Sequence, residues 1–266
     1  MPYTLRLYWS YMKTQVLINL EYRVNLLFGV LGVAILNVVD IALIGLILAR
    51  FGHIGGWTFW EIVFLAFFYL LVLGIENMFA VQLLDIEDYI RDGRFDRFLV
   101  RPVPALVQVL FQELNLRYID HLILGTVGMS LAYSQLGLQW GVAEAVFFAA
   151  SLVSAALLLG AIVLGLSSLA FWTVRSSPFV FATMEIQETI QRYPLSIFPN
   201  SFILAMTFVL PFAFLNYYPS LVLLNKTSEA LVWWLPYLTP LVAGLFSILS
   251  YTLWKAGVRH YQSTGS

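Results

Sequence analysis

Long apolar runs separated by short polar stretches are the dominant pattern of the chain. A transmembrane helix needs about 20 mostly apolar residues to cross a hydrocarbon core that is about 30 Å thick. The pattern predicts an all-α integral membrane protein, a single transmembrane domain over residues 1–266 with six transmembrane helices. The predicted spans are residues 24–49, 59–84, 118–138, 142–174, 197–215 and 240–256.

A different pattern precedes the first run, over residues 3–22. Leu5, Trp9, Met12 and Val16 fall on one helical stripe, and charged and polar residues fall elsewhere. Such an amphipathic helix is typical of a segment that lies in the membrane interface. We expect an interfacial helix here, with an ordinary amphipathic core helix as the alternative.

Prolines interrupt the chain between the fifth and sixth runs, around a small polar turn at residues 225–229. Broken backbone at membrane depth must be shielded by protein or line a cavity. We therefore expect the fifth span to end after Pro211 and residues 216–239 to form short re-entrant helices on the outer side. The interrupting prolines are Pro211, Pro219, Pro236 and Pro240.

Composition agrees with a membrane protein and narrows the possible functions. Hydrophobic residues make up 61% of the chain and charged residues 11%, with a mean hydropathy of +0.84. Soluble domains are about 45–50% apolar and about 25% charged. We expect no sizeable soluble domain and no fused ATPase. The lack of Cys excludes disulfides and thiolate metal sites, and the dispersed basic residues give no sign of nucleic-acid binding.

Basic residues predict the orientation. Six spans put both termini on one side, and twelve of the fourteen Lys and Arg residues fall on that side. Because Lys and Arg are enriched in cytoplasmic loops, we expect a multi-pass plasma (inner) membrane protein whose termini and loops 85–104 and 175–192 are cytoplasmic. Arg50 and Lys226 fall opposite. The twelve are Arg6, Lys13, Arg23, Arg91, Arg94, Arg97, Arg101, Arg117, Arg175, Arg192, Lys255 and Arg259.

Five tryptophans near the outer span ends fit the aromatic belt that forms at a membrane–water interface. Filling of the protein core is the alternative explanation, and the pattern identifies no ligand. The residues are Trp57, Trp60, Trp140, Trp233 and Trp234.

Motifs for self-contained catalysis are absent from the sequence. It contains no G-x-x-x-x-G-K-S/T, no H-E-x-x-H and no G-x-S-x-G, and its three histidines are far apart. We therefore predict no catalytic residue, no metal site and no enzymatic activity. Polar residues inside spans are the alternative place for function, because charge at the bilayer centre is costly. Asp40, Glu76 and Asn77 are the candidates, either for a translocation pathway or for polar contacts that fix helix packing.

Small residues at four-residue spacing mark the fourth run. They are the pairs Ala156/Gly160 and Ala161/Gly165. Such spacing lets helix backbones approach closely in lipid. The neighbouring helix belongs either to this chain or to a second subunit.

A charged island at residues 91–102 stands out between the second and third runs. Glu87 precedes Arg91 at the i,i+4 spacing of a favourable ion pair, and Gly93 can end that helical turn. Phe95 and Phe98 then give a short helix an aromatic face. A solvated loop on lipid phosphates is one explanation, but the mixture of both charge signs with exposed aromatics favours a protein partner.

The island resembles the cytoplasmic G-x-x-D-x-x-L-x-R-P motif of the ABC-2 type permeases, here as Ile90-Arg-Asp-Gly-Arg-Phe-Asp-Arg-Phe-Leu-Val-Arg-Pro102. Three further stretches resemble the same family in the same order, and together they cover nearly the whole chain. They are Arg192-Tyr-Pro-Leu-Ser-Ile-Phe-Pro199, Tyr217-Tyr-Pro219 and Trp254-Lys-Ala-Gly-Val-Arg-His-Tyr-Gln-Ser-Thr-Gly265.

The resemblance implies a transmembrane subunit of an ATP-driven exporter with a type V exporter-like fold. Its partners would be the lipid bilayer, a second permease, identical or diverged, and two copies of a separate ABC ATPase. ATP and Mg would be held by that ATPase, with no cofactor in this chain. The alternatives are an ion-coupled secondary transporter and a non-transporting membrane scaffold.

In that family the loop between spans two and three carries a coupling helix that sits in a cleft of the ATPase. If the family's arrangement applies to this chain, residues 85–104 would form the coupling loop, residues 3–22 would form the interfacial helix and residues 216–239 would form the outer re-entrant region. The residues expected to contact the ATPase are Asp85, Glu87, Asp88, Arg91, Asp92, Gly93, Arg94, Phe95, Asp96, Arg97 and Phe98.

Overall fold

A computed structural model of the chain describes residues 23–112, 115–173 and 175–262. The predicted interfacial helix at residues 3–22 lies outside these ranges. Twelve α-helices form the described part, joined by 3-10 turns and by one antiparallel bridge between Ile54 and Trp57. They are α1 (Arg23–Phe51), α2 (Phe59–Ala80), α3 (Ile86–Arg91), α4 (Asp96–Leu99), α5 (Ala105–Leu110), α6 (Ile119–Gln135), α7 (Val142–Ser168), α8 (Ala170–Thr173), α9 (Ser177–Gln191), α10 (Asn200–Phe208), α11 (Tyr217–Leu223) and α12 (Thr239–His260).

Four helical stretches are long and apolar enough to cross a membrane. A fifth is present if α10 and the stretch Phe212–Leu223, which meet at a bend of 80°, are counted as one span. Helix α6 has 17 residues, about 25 Å of helix, less than the roughly 30 Å of the hydrocarbon core. Six spans therefore stay a prediction. The four long stretches are Leu27–Arg50, Phe59–Arg91, Val142–Thr173 and Leu235–His260.

The second long stretch continues well past its predicted end at residue 84. Helix α2 passes through the 3-10 turn Val81–Asp85 into α3, so Phe59–Arg91 forms one stretch of 33 residues. This length corresponds to about 50 Å and exceeds the hydrocarbon core by roughly 20 Å. A stretch of this length cannot lie wholly within the hydrocarbon core, so we expect the end that carries the charged island to project beyond it.

Glycines let α2 and α6 pack closely. A Cβ at Gly128 would lie 2.3 Å from the ring of Phe67, and a Cβ at Gly125 would lie 2.7 Å from the side chain of Leu71. Close backbone approach through small residues is a main source of helix association in lipid, where hydrophobic burial gives no advantage. Gly74 of α2 is similarly close to α6, since a Cβ there would lie 2.7 Å from the side chain of Leu122. None of these three glycines was singled out by its spacing.

The small residues of α7 contact other helices of the same chain. A Cβ at Gly160 would lie 3.7 Å from Ala80 of α2, and a Cβ at Gly165 would lie 3.0 Å from the hydroxyl of Ser250 in α12. Of the two alternatives for the neighbour of this helix, the structure thus has the intramolecular one.

Helix α9 runs alongside α2 towards the opposite end of the bundle. The backbone N–H groups of Ser176 and Ser177 donate to Glu87, and the side-chain amide of Gln187 donates to the hydroxyl of Tyr69 at 2.6 Å. At the far end, the amide of Asn216 bridges the carbonyls of Gln191 and Leu65 at 2.9 and 3.2 Å. The helix therefore follows the stretch Phe59–Arg91 from Glu87 in α3 to Leu65 in α2.

This course corrects the expectation that loop 175–192 lies wholly on the side of the termini. Arg175 precedes α9 and Arg192 follows it, so the two lie towards opposite ends of the bundle. Arg192 is tolerated there because its guanidinium pairs with Asp40 at 3.0 Å. The chain has also traversed most of α2 before residues 197–215, the predicted fifth span, begin.

The proline-rich region is broken into short helices, as its prolines predict. Helix α10 is followed by a 3-10 turn, Phe212–Phe214, and by α11. Most residues of α11 are buried, and the hydroxyl of Tyr218 lies 2.8 Å from that of Thr207 in α10. Protein therefore shields the interrupted backbone, which membrane depth requires. A re-entrant role for residues 216–239 stays a prediction.

Trp57 does not belong to an aromatic belt. Its side chain is fully buried, and its indole N–H donates to Glu229 at 2.6 Å. Lys226 lies 5.0 Å from the Trp57 ring and pairs with Glu61 at 3.1 Å. Trp57 therefore anchors a polar network at this end of α2, whereas Trp233 is exposed as a belt residue would be.

The glycine packing between α2 and α6 predicts the effect of Gly128→Ala. The added methyl group would lie 2.3 Å from the Phe67 ring, and overpacking of this kind costs about 1–3 kcal/mol. We expect a lower thermal unfolding midpoint for the purified chain in detergent. The control is Gly160→Ala, whose methyl group meets only ordinary contacts at 3.7 and 3.8 Å. Equal midpoints for the two variants would contradict tight packing at Gly128.

Candidate functional site

Gly93 ends the helical stretch that carries the charged island, as predicted. Its φ of 68° lies in the left-handed region, which favours glycine. The N–H of Gly93 donates to the carbonyl of Ile90 at 3.2 Å, and that of Phe95 donates to Tyr89 at 2.9 Å. The chain is thereby redirected from α3 into α4.

The two phenylalanines of the island are buried, which corrects the expectation of an exposed aromatic face. Phe95 is 0% exposed and its ring lies 5.2 Å from that of Phe171 and 5.0 Å from that of Tyr261, centroid to centroid. Phe98 packs edge-on against Tyr89 at 5.4 Å. Phe95 thus anchors the loop to α8 and to the end of α12, and neither Phe95 nor Phe98 lies on the exposed surface of the single chain.

Charged side chains and two apolar residues form the outer surface of the island. Val100 is 83% exposed and Leu99 is 45% exposed. Neither was singled out from the sequence; the signal available was their position between two arginines, directly after the buried Phe98. We call this surface the coupling face; it comprises Arg91, Asp92, Arg94, Arg97, Leu99, Val100 and Arg101.

Two arginines of the coupling face are held by acidic residues of the same loop. Arg91 pairs with Asp88 at 2.6 Å, and Arg94 pairs with Asp92 at 3.0 Å and lies over the ring of Tyr89. Arg97 and Arg101, in contrast, make no ion pair within the described ranges. These two guanidinium groups are therefore the ones most available to a partner.

Glu87 does not form the predicted ion pair with Arg91. It is 7% exposed, and its Oε2 atom accepts the backbone N–H groups of Ser176 and Ser177 at 2.8 and 2.6 Å. Helix N-termini carry unpaired N–H groups and a positive dipole end, so a carboxylate is well placed there. Glu87 thus joins the charged loop to the first turn of α9. Of the remaining predicted contacts, Asp85 is exposed and Asp96 is half-buried.

Asp40 forms an ion pair inside the apolar stretch Leu27–Arg50. Its carboxylate lies 3.0 Å from Arg192, which follows α9. The side chains of Asp40 and Arg192 are 35% and 48% exposed in the single chain. Polar groups at membrane depth normally face a bundle interior or a water-filled cavity. This pair therefore indicates a face of the chain that contacts protein or water rather than lipid.

The other two candidates inside the second span differ from each other. The amide of Asn77 donates to the carbonyl of Leu73 in its own helix at 3.1 Å, so it is a packing residue. Glu76 is 5% exposed and lines a cavity of about 600 Å³. Neither residue forms a hydrogen bond or an ion pair with Asp40 within the described residues, so whether Glu76 and Asp40 belong to a translocation pathway stays a prediction.

A further buried carboxylate was missed in the sequence. Asp120 is 3% exposed and lies 2.6 Å from Nδ1 of the adjacent His121. It also faces α1, because its Oδ2 atom would lie 3.3 Å from a Cβ at Gly29. Its place at the start of a predicted span, next to a polar residue, made it resemble an ordinary helix-end charge.

These features define a multi-pass membrane protein with an ordered charged surface at one end and paired charges within the bundle. Residues 34–265 match the family described as ABC-2 family transporter protein. The match covers most of the chain, so the chain belongs to the ABC-2 transporter family, as its motifs predicted. Membership implies association with an ABC ATPase and with the membrane. No curated protein and no solved structure matches the chain.

Glu87→Gln is expected to loosen the first turn of α9. The change preserves shape but removes the charge, and a hydrogen bond to a charged group contributes about 1.5–3 kcal/mol. We expect faster amide hydrogen exchange at residues 176–182, measured by mass spectrometry. The matched control is Asp88→Asn, which breaks only an exposed ion pair worth about 0–1 kcal/mol. Identical exchange in the two variants would contradict the capping role of Glu87.

A double-mutant cycle tests the pair formed by Asp40 and Arg192. Asp40→Asn or Arg192→Gln alone leaves one unpaired charge, which costs about 2.5–3.5 kcal/mol near a bilayer centre. Both changes together remove both charges. We therefore expect the double variant to have a higher thermal unfolding midpoint in lipid nanodiscs than either single variant. Strictly additive effects would show that the two side chains are not coupled.

Proposed function

We propose that the chain is the transmembrane permease subunit of an ATP-driven exporter of the ABC-2 type. It would carry no catalytic group, and a separate ABC ATPase, present in two copies, would bind ATP and Mg and supply the energy. Its setting would be the plasma (inner) membrane, with both termini in the cytoplasm. The observation that carries this proposal is the coupling face, which is charged, ordered and joined to two different parts of the helix bundle.

The chemistry of the coupling face suits a protein partner with an acidic cleft. Arg97 and Arg101 flank the exposed side chain of Val100 and make no ion pair within the part of the chain that the structure describes. Interfaces commonly combine a central apolar contact with arginines that pair with the partner. We infer that Leu99 and Val100 enter the cleft and that Arg97 and Arg101 pair with carboxylates at its rim.

The anchors of the loop suggest how motion would be transmitted. Phe95 is held among aromatic rings from α8 and the end of α12, and Glu87 is bonded to the first turn of α9. A displacement of the loop would therefore move both regions rather than be absorbed by a flexible linker. At its far end α9 leads into Arg192, which is paired with Asp40 of α1. By this route, ATP-driven motion at the loop would reach the outer half of the bundle.

The exposed surface of α1 supports a second permease. Only 6% of the most apolar part of Leu27–Arg50 is buried in the single chain. The Asp40–Arg192 pair lies on this open side, and hydrocarbon would give its partly exposed charges no hydrogen bonds. We infer that a second permease, identical or diverged, packs on α1, and that the ion pair lies at a path between the two subunits.

Charge reversal at Arg97 and Arg101 tests the proposed coupling. We expect Arg97→Glu combined with Arg101→Glu to weaken binding of the ATPase at least about tenfold, since like charges placed at an acidic rim cost several kcal/mol. The measurement is the amount of ATPase that copurifies with the tagged chain from its native host, with intact mass giving the subunit ratio. A ratio of two ATPase to two permease subunits is expected for the unmodified complex.

Lys255→Glu combined with Arg259→Glu is the matched control for this reversal, because it changes the net charge by the same amount. Both are exposed basic residues at the same end of the bundle but outside the coupling face. An equal loss of ATPase in the control would assign the effect to net charge. Transport by the isolated chain in liposomes, driven by an ion gradient with no ATPase present, would overturn the proposal in favour of a secondary carrier. A complex whose ATP hydrolysis no transported compound stimulates would favour a scaffold.

A further inference from the structure

A cavity of about 600 Å³ opens between α2, α5, α7 and α12. Its volume lies in the range of small-molecule sites, about 300–1,000 Å³. Leu110, Leu157 and Gly160 are among its mainly apolar lining residues. At its rim Phe79 and Leu157 are 44% and 58% exposed in the single chain. The rim is therefore apolar and exposed in the single chain, as a surface in contact with lipid would be.

One carboxyl group lines this cavity. Glu76 is 5% exposed and makes no hydrogen bond and no ion pair within residues 23–112, 115–173 and 175–262. The second cavity, of about 420 Å³, is different, because its hydroxyls of Thr126 and Ser130 bond to carbonyls of their own helix at 2.7 Å. A buried polar group without a partner is costly. In the larger cavity, Glu76 therefore has no polar partner among the described residues, and a bound ligand could supply one.

The chemistry of Glu76 selects the ligand. If the Glu76 side chain is neutral, its O–H has no acceptor among the described residues. If it is ionised, its carboxylate has no cation beside it in that part of the chain. An amine satisfies both forms of Glu76. A neutral amine takes the proton of the neutral acid, which gives an ammonium–carboxylate pair. A protonated amine forms the same pair with the ionised acid. A ligand carboxylate would repel the ionised form of Glu76 and could pair only with the neutral form, and an alcohol would supply a hydrogen bond without the charge.

We propose that this cavity binds a single-chain apolar amine that enters from the bilayer, with its nitrogen at Glu76 and its hydrocarbon body along α5 and α7. The volume of about 600 Å³ suits one chain. Besides Glu76, the polar groups of the lining are the hydroxyls of Ser247 and Tyr251. No Lys or Arg is among the described residues that line the cavity, so a phospholipid phosphate would meet no cation there. Binding is independent of the ATPase; that the amine is also exported rests on the function proposed above.

Photolabelling tests the site in the full-length chain, reconstituted in phosphatidylcholine vesicles. The probes are dodecylamine, dodecanol and dodecanoic acid, each carrying the same diazirine in its chain, and labelled peptides are identified by mass spectrometry. We expect the amine to label the segments that contain Leu110 and Leu157 most strongly. Unlabelled dodecylamine should compete with it.

Substitutions of Glu76 make the test specific. Glu76→Gln has the same shape without the charge, and we expect amine labelling of the cavity to fall about tenfold, which corresponds to about 1.4 kcal/mol. Labelling by dodecanol should not change. Glu76→Asp keeps a carboxylate and should retain much of the amine labelling, which shows that loss in Glu76→Gln is not a folding defect. The control is Glu185→Gln, a change at an exposed carboxyl outside the cavity.

Three results would overturn the proposal. One is equal cavity labelling by the amine and the alcohol, and another is stronger labelling by dodecanoic acid. The third is loss of amine labelling when phosphatidylethanolamine is added to the vesicles, which would assign the cavity to an amine-bearing membrane lipid. Each result is obtained without ATP or an ATPase. Failure here is therefore distinct from failure of the proposed coupling.

Discussion

A single buried carboxylate connects the charged loop to the helix bundle. Glu87 accepts two backbone N–H groups at the start of α9, at 2.8 and 2.6 Å. Hydrogen bonds to a charged acceptor are about twice as strong as neutral ones, and those N–H groups have no partner within their own helix. With the aromatic anchor at Phe95, this contact makes the loop a structured part of the bundle. The functional proposal depends on that rigidity, since a flexible loop could not transmit motion.

The cost of charge away from water explains the other polar groups. Asp40 is paired with Arg192 and Asp120 contacts His121, so both of these carboxylates have partners within the chain. Glu76 has none among the described residues and faces a cavity instead. The same penalty therefore has two outcomes in this protein. The pair of Asp40 and Arg192 joins α1 to the end of α9, and the unpaired Glu76 marks a place where a ligand can supply what the protein lacks.

The elements that could be predicted are those that are apolar over the length of a membrane span, whether lipid or protein surrounds them. Helices α1, α2, α7 and α12 are apolar over most of their length, and composition alone places them in a membrane. Helix α9 could not be recognised in this way, because Gln187 and Gln191 give it the composition of a polar loop. Both side chains are in fact buried and bonded, to Tyr69 and to the carbonyl of Phe212. A hydropathy profile shows only that these residues are polar. It does not show that they are buried against polar partners.

The sequence by itself determined the class of protein, the family and the position of the charged island. These follow from apolar length, from short motifs and from Gly93, whose backbone requirement is local. Only the tertiary structure decided which residues of the island are exposed. Phe95 and Phe98 resemble contact residues in sequence, but both are buried. The ring of Phe95 packs against Phe171 and Trp254 from distant parts of the chain, and that of Phe98 packs against Tyr89 and Phe95. Exposure and pairing depend on neighbours brought together by folding, which is why the coupling face and the partner of Glu87 appeared only in three dimensions.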